Sequence, residues 1–416
     1  MAQAIRHASA TKPRVYSWDG AVPAQDLDRV QSFGFGNTQP FEMLYEEGRR
    51  DKMFVDLDIP ETSLSITQLE YDSLNSFLIF ANKSSLPAGG LQLSDFSNAY
   101  IDLISVGKGE FGGTLEQTLW LPKLSLNSFS IGIADAQARL ERTFEFSGDD
   151  YRIAKYGNKY VIIKTDTTGS GYSTSSYAIV LSDPAPVENP NTSGAYLYLV
   201  TRKRAGVITE LVSGTDYSYN HYNNTLTIVS ATTDDIYQAY YTAASWPVAG
   251  DPTSVNNVDS YRIKADSVTI TLESADQAVV TTLDKLTGLN IAATLNRISE
   301  AVIGKKAKEL NEVENYQVNL TLDGRVKNST IEEVLMGKSG LSWPVIDVDH
   351  FATDLVFRMK VYDSPEKTTF LHGVKITGLF YSDASRDVNA NEFWSKGITL
   401  QSDNVLISDV EANIDA

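Results

Sequence analysis

The chain has 416 residues, 42% of them apolar and 10% aromatic, enough for two or three packed domains and contrary to wholesale disorder. It contains no cysteine and four histidines, which excludes disulfides, thiolate metal sites and cysteine nucleophiles and leaves histidine chemistry sparse. A formal net charge of −18 argues against a cationic groove that grips nucleic acid, though not against a surface past which it slides.

Taken in chain order, residues 1–29 read as an N-terminal arm, poor in apolar positions and punctuated by Pro13 and Pro23. The stretch Met1–Pro13 lacks the apolar core of a secretory signal, so assembly in the cytoplasm is expected. No run reaches the roughly 18–20 apolar residues of a membrane-spanning helix, so no membrane insertion is expected. A first β unit is expected over 30–150, with period-two alternation at Ser63–Ile66 and Arg139–Phe146. Helical spacing of Leu74, Phe77 and Leu78 predicts a short helix with Asp72 as its cap. Residues 151–253 change character, with Pro184, Pro186 and Pro190 in a loop and short strands near Tyr160, Tyr196, Leu226 and Ile236. They read as an inserted β-sandwich decoration domain. A second unit follows over 254–416, with strands at Tyr316–Leu322, Leu355–Val361, Phe370–Leu379 and Ile398–Ile407. Its short helix is expected from the capping box Ser329–Glu332 to Gly337.

The two outer units answer each other. Glu47-Gly48-Arg49-Arg50 matches Ile303-Gly304-Lys305-Lys306 at an offset of 256. The run Ser63–Thr67 matches Val318–Leu322 at 255, Asp72 matches Ser329 at 257, and Leu119 matches Leu371 at 252. Thr143–Ser147 matches Ile398–Ser402 at 255. Ordered landmarks at a nearly constant offset indicate an internal repeat. The expected fold class is therefore mainly β (α+β): two duplicated antiparallel sandwich or half-barrel units, each with a short helix, plus the inserted all-β sandwich. The segments Phe41–Met53 and Arg297–Leu310 read as long loops or partly helical charged arms, and Glu47, Arg49, Arg50, Lys305 and Lys306 are expected at subunit contacts.

No catalytic, cofactor or metal site is expected, and the chain reads as a non-enzyme. Asp347, Asp349 and His350 form an acid–histidine cluster without the glycine and terminal glutamate of a calcium loop. Asp56 and Asp58 are weaker still. The glycines at 109, 112 and 113 and at 337 and 340 miss phosphate-loop spacing, and hairpins and helix ends explain them better. Arg202-Lys203-Arg204, with Tyr217, Tyr219, Tyr222, Tyr237, Tyr240 and Tyr241, leaves open a carbohydrate-binding or adhesin module in the middle domain. A glycan hydrolase on a β scaffold is a third reading.

The loop Tyr45-Glu46-Glu47-Gly48-Arg49 followed by the strand Ile59–Ile66, and the pair Lys375–Leu379 and Ser395–Asn404, resemble the major tail tube proteins of long-tailed bacteriophages and related viruses. The resemblance covers the two outer units and omits the arm and the insert. It implies rings of six β units whose sheets close into a barrel around a channel for DNA. A chain with two units is similar to the duplicated members, which implies three chains per ring, stacked into a tube with other tail proteins. Cytoplasmic assembly and a place in the virion tail follow as expectations. An acidic lining would repel DNA and let it pass without specific binding. Asp149, Asp150 and Asp403, near strand ends, are the lining acids expected from the sequence.

Overall fold

The computed structural model describes residues 13–20, 22–27, 29–38, 41–44, 54–57, 61–69, 74–108, 115–135, 138–154, 160–168, 176–181, 197–220, 222–243, 263–274, 280–283, 286–301, 308–325, 354–387 and 395–416. It is mainly β, with antiparallel sheets. The first part contributes β1 (Pro13–Ser17), β2 (Gln25–Asp26), β3 (Val30–Thr38), β4 (Phe41–Leu44), β5 (Phe54–Leu57) and β6 (Glu61–Leu69). Helix α1 (Asn75–Phe80), β7 (Leu91–Gln92), β8 (Tyr100–Lys108), β9 (Leu115–Ile133), β10 (Leu140–Gly148) and β11 (Arg152–Ala154) follow. The middle holds β12 (Tyr160–Thr167), β13 (Ser176–Val180), β14 (Leu197–Arg204), β15 (Val207–Glu210), β16 (Tyr217–Asn220), β17 (Thr225–Val229) and β18 (Ile236–Ala243). The last part holds β19 (Val268–Glu273), β20 (Val280–Thr282), β21 (Leu286–Ala301), β22 (Lys308–Arg325) and β23 (Leu355–Tyr362). It ends with β24 (Phe370–Asp387), β25 (Ser395–Ser402), β26 (Val405–Ser408) and helix α2 (Glu411–Asp415).

Alternation decides which way each strand faces. β6 buries Leu64 and Ile66 and turns Ser63, Ser65 and Thr67 away from the core; β10 does the same with Phe144 and Phe146 against Thr143 and Glu145. The pairing path β1·β8·β9·β10·β6·β3 recurs as β19·β23·β24·β25·β22·β21. β11 adds to β9 as β26 adds to β24.

The irregularities recur too. Near the start of β3 and of β21 the ladder skips Gln31 and Thr287, 256 residues apart. On the long bent strands it skips Asn127 and Ser382, 255 apart. The bend itself falls at Lys123 (φ 49) and Gly378 (φ 64), again 255 apart. Matching the bulges makes Leu64 equivalent to Leu320, Phe144 to Ile398 and Leu119 to Val374. The offsets read from sequence are therefore one residue out for β6 and β10 and three out for β9. A one-residue slip would set outward Ser63 against buried Val318, and sheet parity forbids that.

Within the chain the two halves fuse. β9 pairs with β10 along one edge and, over Ser128–Ile133, with β21 along the other. Arg297 locks this seam by donating to the carbonyls of Leu126, Phe96 and Ser97 at 2.9–3.1 Å. Eight strands then run side by side in the order β3·β6·β10·β9·β21·β22·β25·β24. Their inner face packs on α1, where Phe77 and Phe80 meet Phe129, Phe144 and Phe146 with ring centroids 4.8–5.2 Å apart. Helix α1 starts at Asn75, with Leu74 at the cap position and no side-chain cap; Asp72 lies outside the described residues. The expected helix over 329–337 lies outside them as well.

Three details differ from the sequence reading. Arg297–Ala301 and Lys308–Leu310, expected in a long loop or partly helical arm, are the paired ends of β21 and β22, because the cross-strand ladder continues past the bulges. Pro13–Ser17, expected within an arm, is a buried strand on β8, because Val15, Tyr16, Trp18, Val22 and Leu27 give this stretch an apolar face that the flanking prolines obscure. The middle strands form two sheets, β12·β18·β14·β15 and β13·β17·β16, whose core also holds Tyr16, Trp18, Ile104 and Trp120 from the first part. Gln238 Nε2 donates to the Ser17 carbonyl at 2.9 Å, and Lys203 pairs with Asp19 at 2.5 Å. The middle sandwich is thus seated on the first unit through a shared core.

Candidate functional site

The outward face of the eight-strand sheet is lined mainly by small polar and acidic residues. Strand register places its side chains in rows. One row runs Glu141, Gly132, Asn290, Thr321, Thr399. The next runs Thr67, Thr143, Ser130, Ala292, Asn319, Gln401. A third runs Gly34, Ser65, Glu145, Ser128, Thr294, Gln317. Asp323 stands beside Gly288 and Gly397. All of these positions are half-buried or exposed.

Hydroxyl and amide groups satisfy one another across the strands. Ser128 Oγ donates to Glu145 Oε2 at 2.8 Å, and the Thr67 and Thr143 hydroxyls lie 3.2 Å apart. The rows carry Glu141, Glu145 and Asp323, and no lysine or arginine among their residues. A phosphate backbone meeting these rows finds no lysine or arginine in them and meets carboxylates within a Debye length of about 8 Å at physiological salt.

Asp149 and Asp403 occupy equivalent turns, after β10 and after β25. Asp149 and Asp150 are half-buried, Asp403 is exposed, and Asp150 pairs with Arg152 at 3.0 Å. All three lie beyond the strand rows, whereas Glu141, Glu145 and Asp323 stand in them. The signal for these acids was present in the sequence: each sits at an outward position of an alternating run, as in Thr143-Phe144-Glu145-Phe146-Ser147. Glu47, Arg49, Arg50, Lys305 and Lys306 lie outside the described residues, as do Asp347, Asp349 and His350. Among the described residues, no group of three or more His, Cys, Asp or Glu side chains is placed to hold a metal.

Two members of the basic run in the middle sandwich, Lys203 and Arg204, are engaged in ion pairs. Lys203 pairs with Asp19, and Arg204 forms a two-pronged bond to Asp235 at 2.7–2.8 Å. Its tyrosines are mostly core: Tyr237, Tyr240 and Tyr241 are fully buried and Tyr217 nearly so, while Tyr222 is 90% exposed. Tyr217, Tyr237, Tyr240 and Tyr241 fill a β-sandwich interior and do not form an open sugar-stacking face.

No protein-family model matches the sequence, and no curated protein matches it. Among solved structures, the chain is similar to one from the anti-feeding prophage baseplate, at 16% identity over 37% of this chain and 97% of that one, with a TM-score of 0.29. It is similar to the SPP1 tail tube at 9% identity, over 36% of this chain and 80% of that one, TM-score 0.28. A third likeness is to the sheath–tube complex of the extracellular contractile injection system PVC, at 14% identity over 38% and 99%, TM-score 0.26.

Proposed function

We propose that this chain is a structural subunit of a viral tail tube. The observation that carries the reading is the doubled sheet: two units of one topology, fused edge to edge, share an outward face of hydroxyls, amides and carboxylates. Three copies would place six such units around a ring, with the polar face lining a channel. Rings stack into a tube, joined at its ends by other tail proteins, and DNA slides through because the polar rows carry carboxylates and no lysine or arginine to pair with phosphate. Closure also removes sheet edges that otherwise invite uncontrolled pairing. The middle sandwich projects from the tube, away from the lumen. Assembly takes place in the host cytoplasm and the product resides in the virion tail.

Negative-stain imaging of purified full-length protein tests this. Stacked rings with a stain-filled hole are expected across a concentration series. Single compact particles at every concentration would defeat the proposal.

A further inference from the structure

The fused sheet ends, among the described residues, in two edge strands. Among the described residues, β3 pairs only with β6, and β24 beyond Phe380 pairs only with β25. β3 is nine residues long, and Phe33 and Phe35 turn inward onto the core, so what it leaves open is a long backbone edge of the kind that proteins cover or blunt. The equivalent strands inside the chain are already partnered: β21, the counterpart of β3, lies on β9, the counterpart of β24.

Resting on the ring reading above, we infer that β24 over Asp383–Asp387 receives β3 from a second copy of this chain. The register is that of the internal seam, which pairs Ser128 with Thr294, Phe129 with Ala293, Ser130 with Ala292, Ile131 with Ile291 and Gly132 with Asn290. The bulges at Asn127 and Ser382 carry β9 onto β24 at an offset of 255, and those at Gln31 and Thr287 carry β3 onto β21 at 256. Applied together, these offsets pair Asp383 with Thr38, Ala384 with Asn37, Ser385 with Gly36, Arg386 with Phe35 and Asp387 with Gly34. Parity holds: Gly34 and Gly36 face Ser65 and Ser63, so the polar rows continue across the boundary without a change of face. The partner is a second copy because the seam continues an interface the chain already makes with itself. The contact is heterologous, head to tail, and it closes when the rotation per copy divides a full turn.

The absence of native cysteine makes this directly testable. Opposed residues of an antiparallel pair lie at about 4.5–5.5 Å between Cα atoms, within disulfide range. Thr38→Cys with Asp383→Cys is the test pair, and Ser128→Cys with Thr294→Cys is its internal counterpart. The internal pair is expected to form an intrachain bond, which shows that the fold tolerates cysteines at this seam. The test pair is expected to give covalent dimers and closed trimers on a non-reducing denaturing gel. Thr38→Cys with Ala384→Cys, one residue out of register, is expected to remain uncrosslinked. Rings in the microscope without the Thr38–Asp383 bond overturn the seam while leaving the tube reading intact. Bonded oligomers without rings support the seam and defeat the tube. Neither rings nor bonds defeats both, and equal bonding by the slipped pair overturns the register.

Discussion

At the scale of single residues, Asp102 is the most consequential buried acid described. Its carboxylate accepts from the Tyr240 hydroxyl at 2.5 Å and from the Lys123 backbone N–H at 2.9 Å, where the first sheet meets the middle sandwich. The Arg152 guanidinium lies close by, over the Trp120 ring at 4.6 Å. Burial pushes the Asp102 carboxyl up from 3.8 to about 7, against the opposing pull of those hydrogen bonds. The folded state therefore prefers the protonated acid, so its contribution is fully present below pH 4 and is lost as pH rises to about 7. Asp102→Asn removes this dependence. The stability of wild type relative to Asp102→Asn is predicted to fall by at most about 4 kcal/mol between pH 4 and 7.5, read from denaturant unfolding at each pH. A difference that stays flat, or rises with pH, would show that Asp102 is ionised throughout. Nothing in the sequence marked this residue, because it lies in an ordinary strand and its partner is 138 positions away.

Individual elements show the repeat most sharply in their defects. The bend of β24 uses Gly378 at φ 64, and the bend of β9 uses Lys123 at φ 49. Since a Cβ at Gly378 meets nothing within 4 Å, Gly378→Lys is predicted to cost only the left-handed backbone penalty of about 1–2 kcal/mol. Gly373→Ala, five residues earlier on the same strand, places its Cβ 2.8 Å from the Met359 carbonyl oxygen and 2.9 Å from buried Ile414. Thermal melts are expected to show the larger loss for Gly373→Ala despite its smaller side chain. The reverse order would mean that the bend, and not the packing of β24 beneath α2, limits the strand.

These same elements show what the sequence could reveal. Alternation in Ser63–Thr67 and Thr143–Ser147 identified strands and their buried faces, since period two is a local property. Register was not local. Matching runs at a constant offset put outward residues on inward ones, because bulges insert residues that only strand pairing locates. The buried strand Pro13–Ser17 was hidden for a similar reason: its apolar side chains are needed by β8 and the middle sandwich, not by neighbours in sequence.

At the scale of the molecule, the polar rows matter more than any one acid. Reversing two of them, Glu141→Lys with Glu145→Lys, is predicted to leave particle formation unchanged while converting the wall into one that retains DNA. Filter binding of assembled particles should show DNA retention for the variant that weakens steeply with salt, and none for wild type. Retention by wild type would contradict a wall built for passage. The sequence conveyed the sign of the overall charge and the repeat but not which acids share a surface, since that depends on the joining of β9 to β21 across more than 150 intervening residues. The most direct measurement is the symmetry of assembled rings by electron cryo-microscopy. Three-fold rings are expected, with two related sheets per chain and Glu141, Glu145 and Asp323 on the lumen wall; rings whose lumen is lined by any other surface of the chain would contradict the tube reading.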